Sequence, residues 1–106
     1  MIDHASIGVR DLVAATAFYE QLLATIGLEK LIERPGTVGF GKSYPEFWLN
    51  ARPAAGSIAA DGSHLCLRAR SSEQVDAFHQ TALGLGAQDD GPPGPRPEYT
   101  PTYYAA

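Results

Sequence analysis

Two histidines stand sixty positions apart in matching surroundings, and they are the residues of this chain best placed to do chemistry together. The run His4-Ala5-Ser6-Ile7-Gly8-Val9-Arg10, moved sixty positions, falls on His64-Leu65-Cys66-Leu67-Arg68-Ala69-Arg70, with the histidine and the closing arginine both matched. Further along, Ala17-Phe18 falls on Ala77-Phe78 and Leu23 on Leu83, so the register holds across twenty residues. This is a duplicated βα unit with a histidine at the same place in each copy. Duplicated modules usually meet about a pseudo-two-fold axis, which would bring both imidazoles into one shared cavity. Imidazole suits Fe, Zn, Ni or Mn, so the residue type alone chooses no metal. Two such donors hold an ion weakly; useful affinity takes three or four, each fixed by its own hydrogen bonds.

The elements that must position these histidines follow from periodicity. Ile2, Ala5, Ile7 and Val9 describe a first strand, and Asp11 is placed to cap the helix after it. Leu12, Ala15, Phe18, Tyr19, Leu22, Leu23 and Ile26 recur at three- and four-residue spacing, predicting an amphipathic helix that ends near Gly27. Leu28 to Glu33, Thr37 to Gly41 and Glu46 to Ala51 read as three strands, separated by turns at Pro35-Gly36 and Ser43-Tyr44-Pro45. Module one, residues 1–51, is therefore βαβββ. Residues 52–62, rich in Ala, Pro and Gly, predict a linker. Module two, residues 63–106, restarts with a strand at His64–Arg70 and a helix opened by Ser71 and Gln74 at capping-box spacing. Val75, Phe78, Ala82, Leu83 and Leu85 supply its apolar stripe, and Gly84 and Gly86 close it. Ala87–Asp90 predicts a short strand, Gly91–Pro97 a loop whose prolines cannot donate to a ladder, and Pro101–Ala106 a last strand. Module two is then one strand short of its twin.

At 106 residues neither half is large enough to fold well alone, so one domain is expected. With 44% hydrophobic and 19% charged residues the composition is that of an ordinary globular protein. A net charge of −4 with scattered cations argues against a nucleic-acid partner, and nothing approaches the roughly 18 apolar residues of a membrane span. The single Cys66 forms no internal disulfide and reads as a small core residue. With no signal-peptide pattern at Met-Ile-Asp-His, the default location is cytoplasmic. Gly39-Phe40-Gly41 and Gly8 lack the helix start and lysine of a phosphate loop.

In its βαβββ unit, its βαββ unit and the histidine opening each, the sequence resembles the vicinal oxygen chelate superfamily, which includes glyoxalase I, extradiol dioxygenases, and fosfomycin- and bleomycin-resistance proteins. The residues that carry the resemblance are Ile2-Asp3-His4, Val9-Arg10-Asp11-Leu12 and Ala17-Phe18-Tyr19 in module one, with Gly62-Ser63-His64-Leu65-Cys66-Leu67 and Val75-Asp76-Ala77-Phe78-His79 in module two. The resemblance implies an α+β fold of paired βαβββ modules forming a cupped mixed sheet. It also implies one metal ligand from the first strand and one from the last strand of each module. Carried over, the first-strand ligands are His4 and His64. The last strand of module one reads Glu46-Phe47-Trp48-Leu49-Asn50, so the ligand position falls at or near Trp48, which cannot coordinate; Glu46 is the remaining candidate for a catalytic base or further ligand. The fourth ligand would lie beyond Tyr103-Tyr104-Ala105-Ala106, which favours a truncated form over a strand supplied by a partner.

Two functions follow from the resemblance. One is a divalent-metal-dependent lyase or dioxygenase that binds vicinal oxygens of a small substrate, with a homodimer expected. The other is a metal-free protein that sequesters an aromatic or antibiotic-like molecule, with Trp48, Tyr103 and the loop residue Arg96 against the ligand. Against these stand plainer readings: the histidines as inherited polar residues, the aromatics Phe40, Tyr44, Phe47, Tyr99 and Tyr104 as core, Arg96 and Glu98 as solvated loop charges, and His79 as a surface or helix-packing residue.

Overall fold

The computed structural model describes residues 1–54, 56 and 61–106. Module one folds as its pattern predicts: β1 (Ala5–Val9), α1 (Leu12–Ala24), β2 (Glu29–Arg34), β3 (Thr37–Gly41) and β4 (Pro45–Ala51). The strands form one sheet in the order β1-β4-β3-β2, with β1 parallel to β4 and the other pairs antiparallel. Asp11 caps α1 from an extended backbone, its carboxylate accepting the Ala14 N–H at 3.0 Å. At the other end Gly27, at φ +81°, takes the left-handed turn, and the Leu28 N–H reaches back to the Leu23 carbonyl at 3.0 Å.

The core lies almost wholly in this module. Leu23 and Ile26 of α1 and its end pack with Val38 and Phe40 of β3 and Phe47 and Leu49 of β4, all buried, and Leu22 is buried as well. Phe40 and Phe47 are thus core, as the plainer reading of the aromatics holds. Tyr19 meets Phe18 edge to face and Phe47 at a tilt, with ring centroids 5.1 and 5.2 Å away.

Module two keeps its helix but not its predicted strands. Helix α2 (Ser72–Gly84) starts at Ser71, whose hydroxyl accepts the Gln74 N–H at 3.2 Å, while the Gln74 side chain accepts the Arg70 N–H at 2.8 Å. It ends by the same device as α1: Gly86 at φ +98°, and the Ala87 N–H on the Ala82 carbonyl at 2.9 Å. The predicted strand His64–Arg70 has no ladder. Among the described residues its counterpart β1 pairs with β4 alone, and no strand of module two stands where β4 stands in module one. Ala87–Asp90 is not a strand either. Instead β5 (Gly94–Pro95) pairs antiparallel with β6 (Tyr104–Ala105), correcting both the prediction of an unladdered Gly91–Pro97 loop and that of a strand over all of Pro101–Ala106. Proline is tolerated because so short an edge asks little of it: the neighbouring Arg96 N–H makes the bond, to Tyr103 at 2.7 Å. Of the predicted linker 52–62, residues 55 and 57–60 lie outside the described set; Arg52 is held by its N–H on the Val9 carbonyl at 2.7 Å.

Candidate functional site

The period-two alternation of the strands divides the residues of module one between two faces. Ile7 and Val9 of β1, Val38 and Phe40 of β3, and Phe47 and Leu49 of β4 pack into the core beneath α1. Ser6, Thr37, Gly39, Glu46, Trp48 and Asn50 therefore belong to the opposite, open face. Across it, Ser6 pairs with Trp48 and Trp48 with Gly39; Gly8 pairs with Asn50 and Asn50 with Thr37. A Cβ on Gly39 would come within 3.0 Å of the Trp48 ring, so the indole lies directly over that glycine. Asn50 is fixed in place, its Oδ1 accepting the Thr37 hydroxyl at 2.7 Å. Glu46 and Asn50 share a face, as the two-residue period predicts.

His4 stands just before β1, exposed, with Nδ1 2.8 Å from the Asp3 carboxylate. His64 lines a cavity of about 850 Å³, whose walls are residues 64–70 on one side and Thr102–Ala106 on the other, with Ile26, Val75 and Phe78 also lining it. His4, Glu46, Trp48 and Arg96 are not among that lining. The structure thus places Tyr103 with His64, and sets His4, Glu46 and Trp48 on or beside the module-one sheet.

Tyr103 faces Cys66 across 3.9 Å, and this contact is the main cause that pushes the phenol up from its ordinary pKa. Cys66 is exposed, not the core residue the sequence suggests; the odd-numbered Leu67 and Ala69 take the core side. Tyr99 meets Tyr103 edge to face at 5.2 Å, and both are exposed, as is Tyr44. Arg96 turns back on its own loop: one terminal nitrogen donates to the Gly94 carbonyl at 3.1 Å, the other to Pro92 at 2.8 Å. His79 packs on α2 against Asp89 at 3.1 Å.

A second cleft, of about 450 Å³, runs between the modules. It joins Glu46, Lys42, Ser43 and Tyr44 of module one to Arg68, Arg70 and Gln74 of module two. Among the described residues, Lys42, Arg68 and Arg70 make no ion pair. Three cations against the single carboxylate of Glu46 leave the cleft with an excess of positive charge in a chain of net charge −4. Sequence reasoning stopped at His64 on that segment. The signal was present, since the alternation that assigns His64 to one side carries Cys66, Arg68 and Arg70 with it.

The family model of the glyoxalase/bleomycin resistance protein/dioxygenase superfamily matches residues 1–104. The chain belongs to this superfamily. A glyoxalase/bleomycin resistance protein from Albidiferax ferrireducens T118 is 31% identical and superposes with a TM-score of 0.77, covering 90% of this chain and 80% of the other. The fold recurs in a glyoxalase/bleomycin resistance protein/dioxygenase from Nocardioides (19% identity, TM-score 0.59, 92% and 69% coverage). It recurs also in the bleomycin resistance determinant encoded on the transposon Tn5 (21%, 0.58, 91% and 81%). No curated protein matches the chain.

Superfamily membership raises the matter of a divalent metal. Among the described residues no three His, Cys, Asp or Glu side chains come together. His4 is engaged with Asp3, and the level of β4 that would supply an oxygen donor is occupied by the Trp48 indole. The described donors do not fit a resident ion, so no reaction step is derived through one. No helix among them is long and apolar enough to cross a membrane.

Proposed function

We propose that this superfamily member is a binding protein for a small, flat organic molecule bearing an anionic group. The observation that supports this best is the cleft between the modules, lined by Lys42, Arg68 and Arg70 with Tyr44 and Ser43, where three cations that make no ion pair among the described residues face one carboxylate, Glu46. Small-molecule sites combine apolar surface with a few directional polar groups. Here Ile26, Leu28 and Tyr44 supply the first and the arginines the second, since a planar guanidinium matches a carboxylate or phosphate in two parallel hydrogen bonds. Trp48 lies on the same face as Glu46, two residues and about 7 Å further along β4, where it can stack on the ligand or report its arrival. His64 and Tyr103 border the neighbouring cavity. The same reading takes the protein as a cytoplasmic homodimer, the assembly being checked by light scattering.

The test is a titration with aromatic carboxylates and their uncharged amides, followed by Trp48 fluorescence and by thermal stability. Carboxylates are expected to bind, more weakly as salt rises, and the Arg68→Ala/Arg70→Ala double variant to lose at least about tenfold in affinity, the worth of one charge-assisted hydrogen bond. Equal binding of acid and amide would overturn the assignment of the arginines. Near-stoichiometric Fe, Zn, Ni or Mn in the purified protein, lost in the His4→Ala/His64→Ala variant, would overturn the metal-free reading in favour of a lyase or dioxygenase.

A further inference from the structure

A single carboxylate, that of Glu46, lines the cleft with Lys42, Arg68 and Arg70. Glu46 is half-buried, and among the described residues its carboxylate makes neither a hydrogen bond nor an ion pair. The backbone sets it there. In the β3–β4 ladder Phe40 pairs with Phe47 and Gly41 with Pro45, so Glu46 is the extra residue of a β-bulge. Strand β1 gives it no partner either, since its ladder with β4 begins at Ala5 and Phe47. Bulges are over-represented beside active sites, where they re-aim a side chain. The turn before this one is equally fixed, because a Cβ on Gly41 would collide with the Tyr44 carbonyl. Resting on the anion-binding reading of the cleft, we infer that its ligand is a zwitterion, an amine and a carboxylate on one small flat body, with Glu46 holding the ammonium and Arg68 and Arg70 the carboxylate.

An anion alone would pair with the cations and bring like charge up to Glu46. A cation alone would pair with Glu46 and bring like charge up to three side chains. Either leaves a charged group of a half-enclosed site without a partner, which is costly once a ligand has displaced the water. A molecule with both charges pairs each with its opposite. The two charges are also divided between the walls of the cleft: Glu46 belongs to module one, whereas Arg68, Arg70 and Gln74 belong to module two. Gln74 uses its Oε1 to accept the Arg70 N–H at 2.8 Å, so its amide nitrogen is left as a further donor to the ligand carboxylate. Ile26, Leu28 and Tyr44 supply apolar surface between the two walls. At about 450 Å³ the cleft lies toward the lower end of the roughly 300–1,000 Å³ of small-molecule sites, which suits a body of one ring. Repulsion is how a site rejects the near relative of its ligand, and Glu46 supplies that repulsion against a plain acid.

The test is calorimetric titration of the full chain with two pairs of ligands whose members differ only in the amine: phenylalanine against phenylpropionate, and para-(aminomethyl)benzoate against para-methylbenzoate. At least one zwitterion is expected to bind about tenfold or more tighter than its amine-free partner, the worth of one charge-assisted contact. Glu46→Gln, which keeps the shape and removes the charge, is expected to abolish that preference by weakening the zwitterion while the amine-free acid binds as tightly as before or tighter. In the parent protein, amine-free acids that bind as well as both zwitterions would overturn the inference and leave the anion-binding cleft standing; this comparison needs no variant to fold. A preference that survives Glu46→Gln would overturn it too, since the ammonium would then be held elsewhere. So would equal loss of both members of a pair in a Glu46→Gln protein of unchanged melting temperature, which would mark Glu46 as structural. Binding of none of the four would overturn the zwitterion and the anion-binding reading together.

Discussion

Gly39 is the residue on which the open face depends. Its missing side chain leaves room for the Trp48 indole and for Pro45, and a Cβ there would meet Pro45 Cβ at 2.9 Å and the ring at 3.0 Å. Gly39→Ala is expected to cost about 1–3 kcal/mol by overpacking and to tilt the indole outward, seen as a red shift of Trp48 emission. Unchanged emission would mean that the ring does not rest on Gly39. At this scale the sequence was partly legible. The face shared by Glu46, Trp48 and Asn50 follows from a two-residue period, because a strand with both neighbours in place has no other way to present its side chains. The meeting of His4 and His64 did not follow in the same way. Spacing shows that two residues are equivalent, but which cavity each lines depends on packing between modules, and the described lining holds His64 without His4.

Among the elements, the helices were the most legible, because each carries its own start and stop. Asp11, Ser71, Gln74 and the glycines after each helix act within a few residues, so the sequence alone sets them. Removing the Asp11 carboxylate with Asp11→Ala is expected to cost about 1 kcal/mol, read as a lower denaturant midpoint at unchanged slope. The strands of module two were less legible, since a strand needs a partner that local pattern cannot supply; segment 64–70 has the alternation and lacks the ladder. What holds the end of α2 is a polar contact that no period reveals. The Asp89 carboxylate accepts the Gly91 N–H at 2.8 Å and lies 3.1 Å from His79, and these contacts, the backbone one first, hold its pKa below the ordinary aspartate value. With the folded value depressed, the contribution is present above the unfolded value and is lost as pH falls through the folded one. The acid limb of thermal stability below about pH 4 should therefore be shallower in Asp89→Asn than in the parent. Parallel limbs would show that Asp89 carries no such linkage.

For the whole molecule, the two modules share a pattern and differ in packing. Helix α1 buries Thr16, Leu22 and Leu23 against a four-stranded sheet, whereas α2 buries none of its residues fully. The repeat makes this difference measurable with one substitution made twice. Leu23 and Leu83 are the same residue in the two copies, yet Leu23 is 0% exposed and Leu83 is 40% exposed. Truncating a fully buried leucine removes its transfer energy and leaves a cavity, so Leu23→Ala should cost about 2–5 kcal/mol. Leu83→Ala opens no cavity, because solvent already reaches the side chain, and should stay within about 0.5–1 kcal/mol. Chemical denaturation of both variants decides between a molecule folded around module one and one folded equally around both. Equal costs would mean that α2 is packed as tightly as α1, and that the asymmetry between the modules does not extend to their stability.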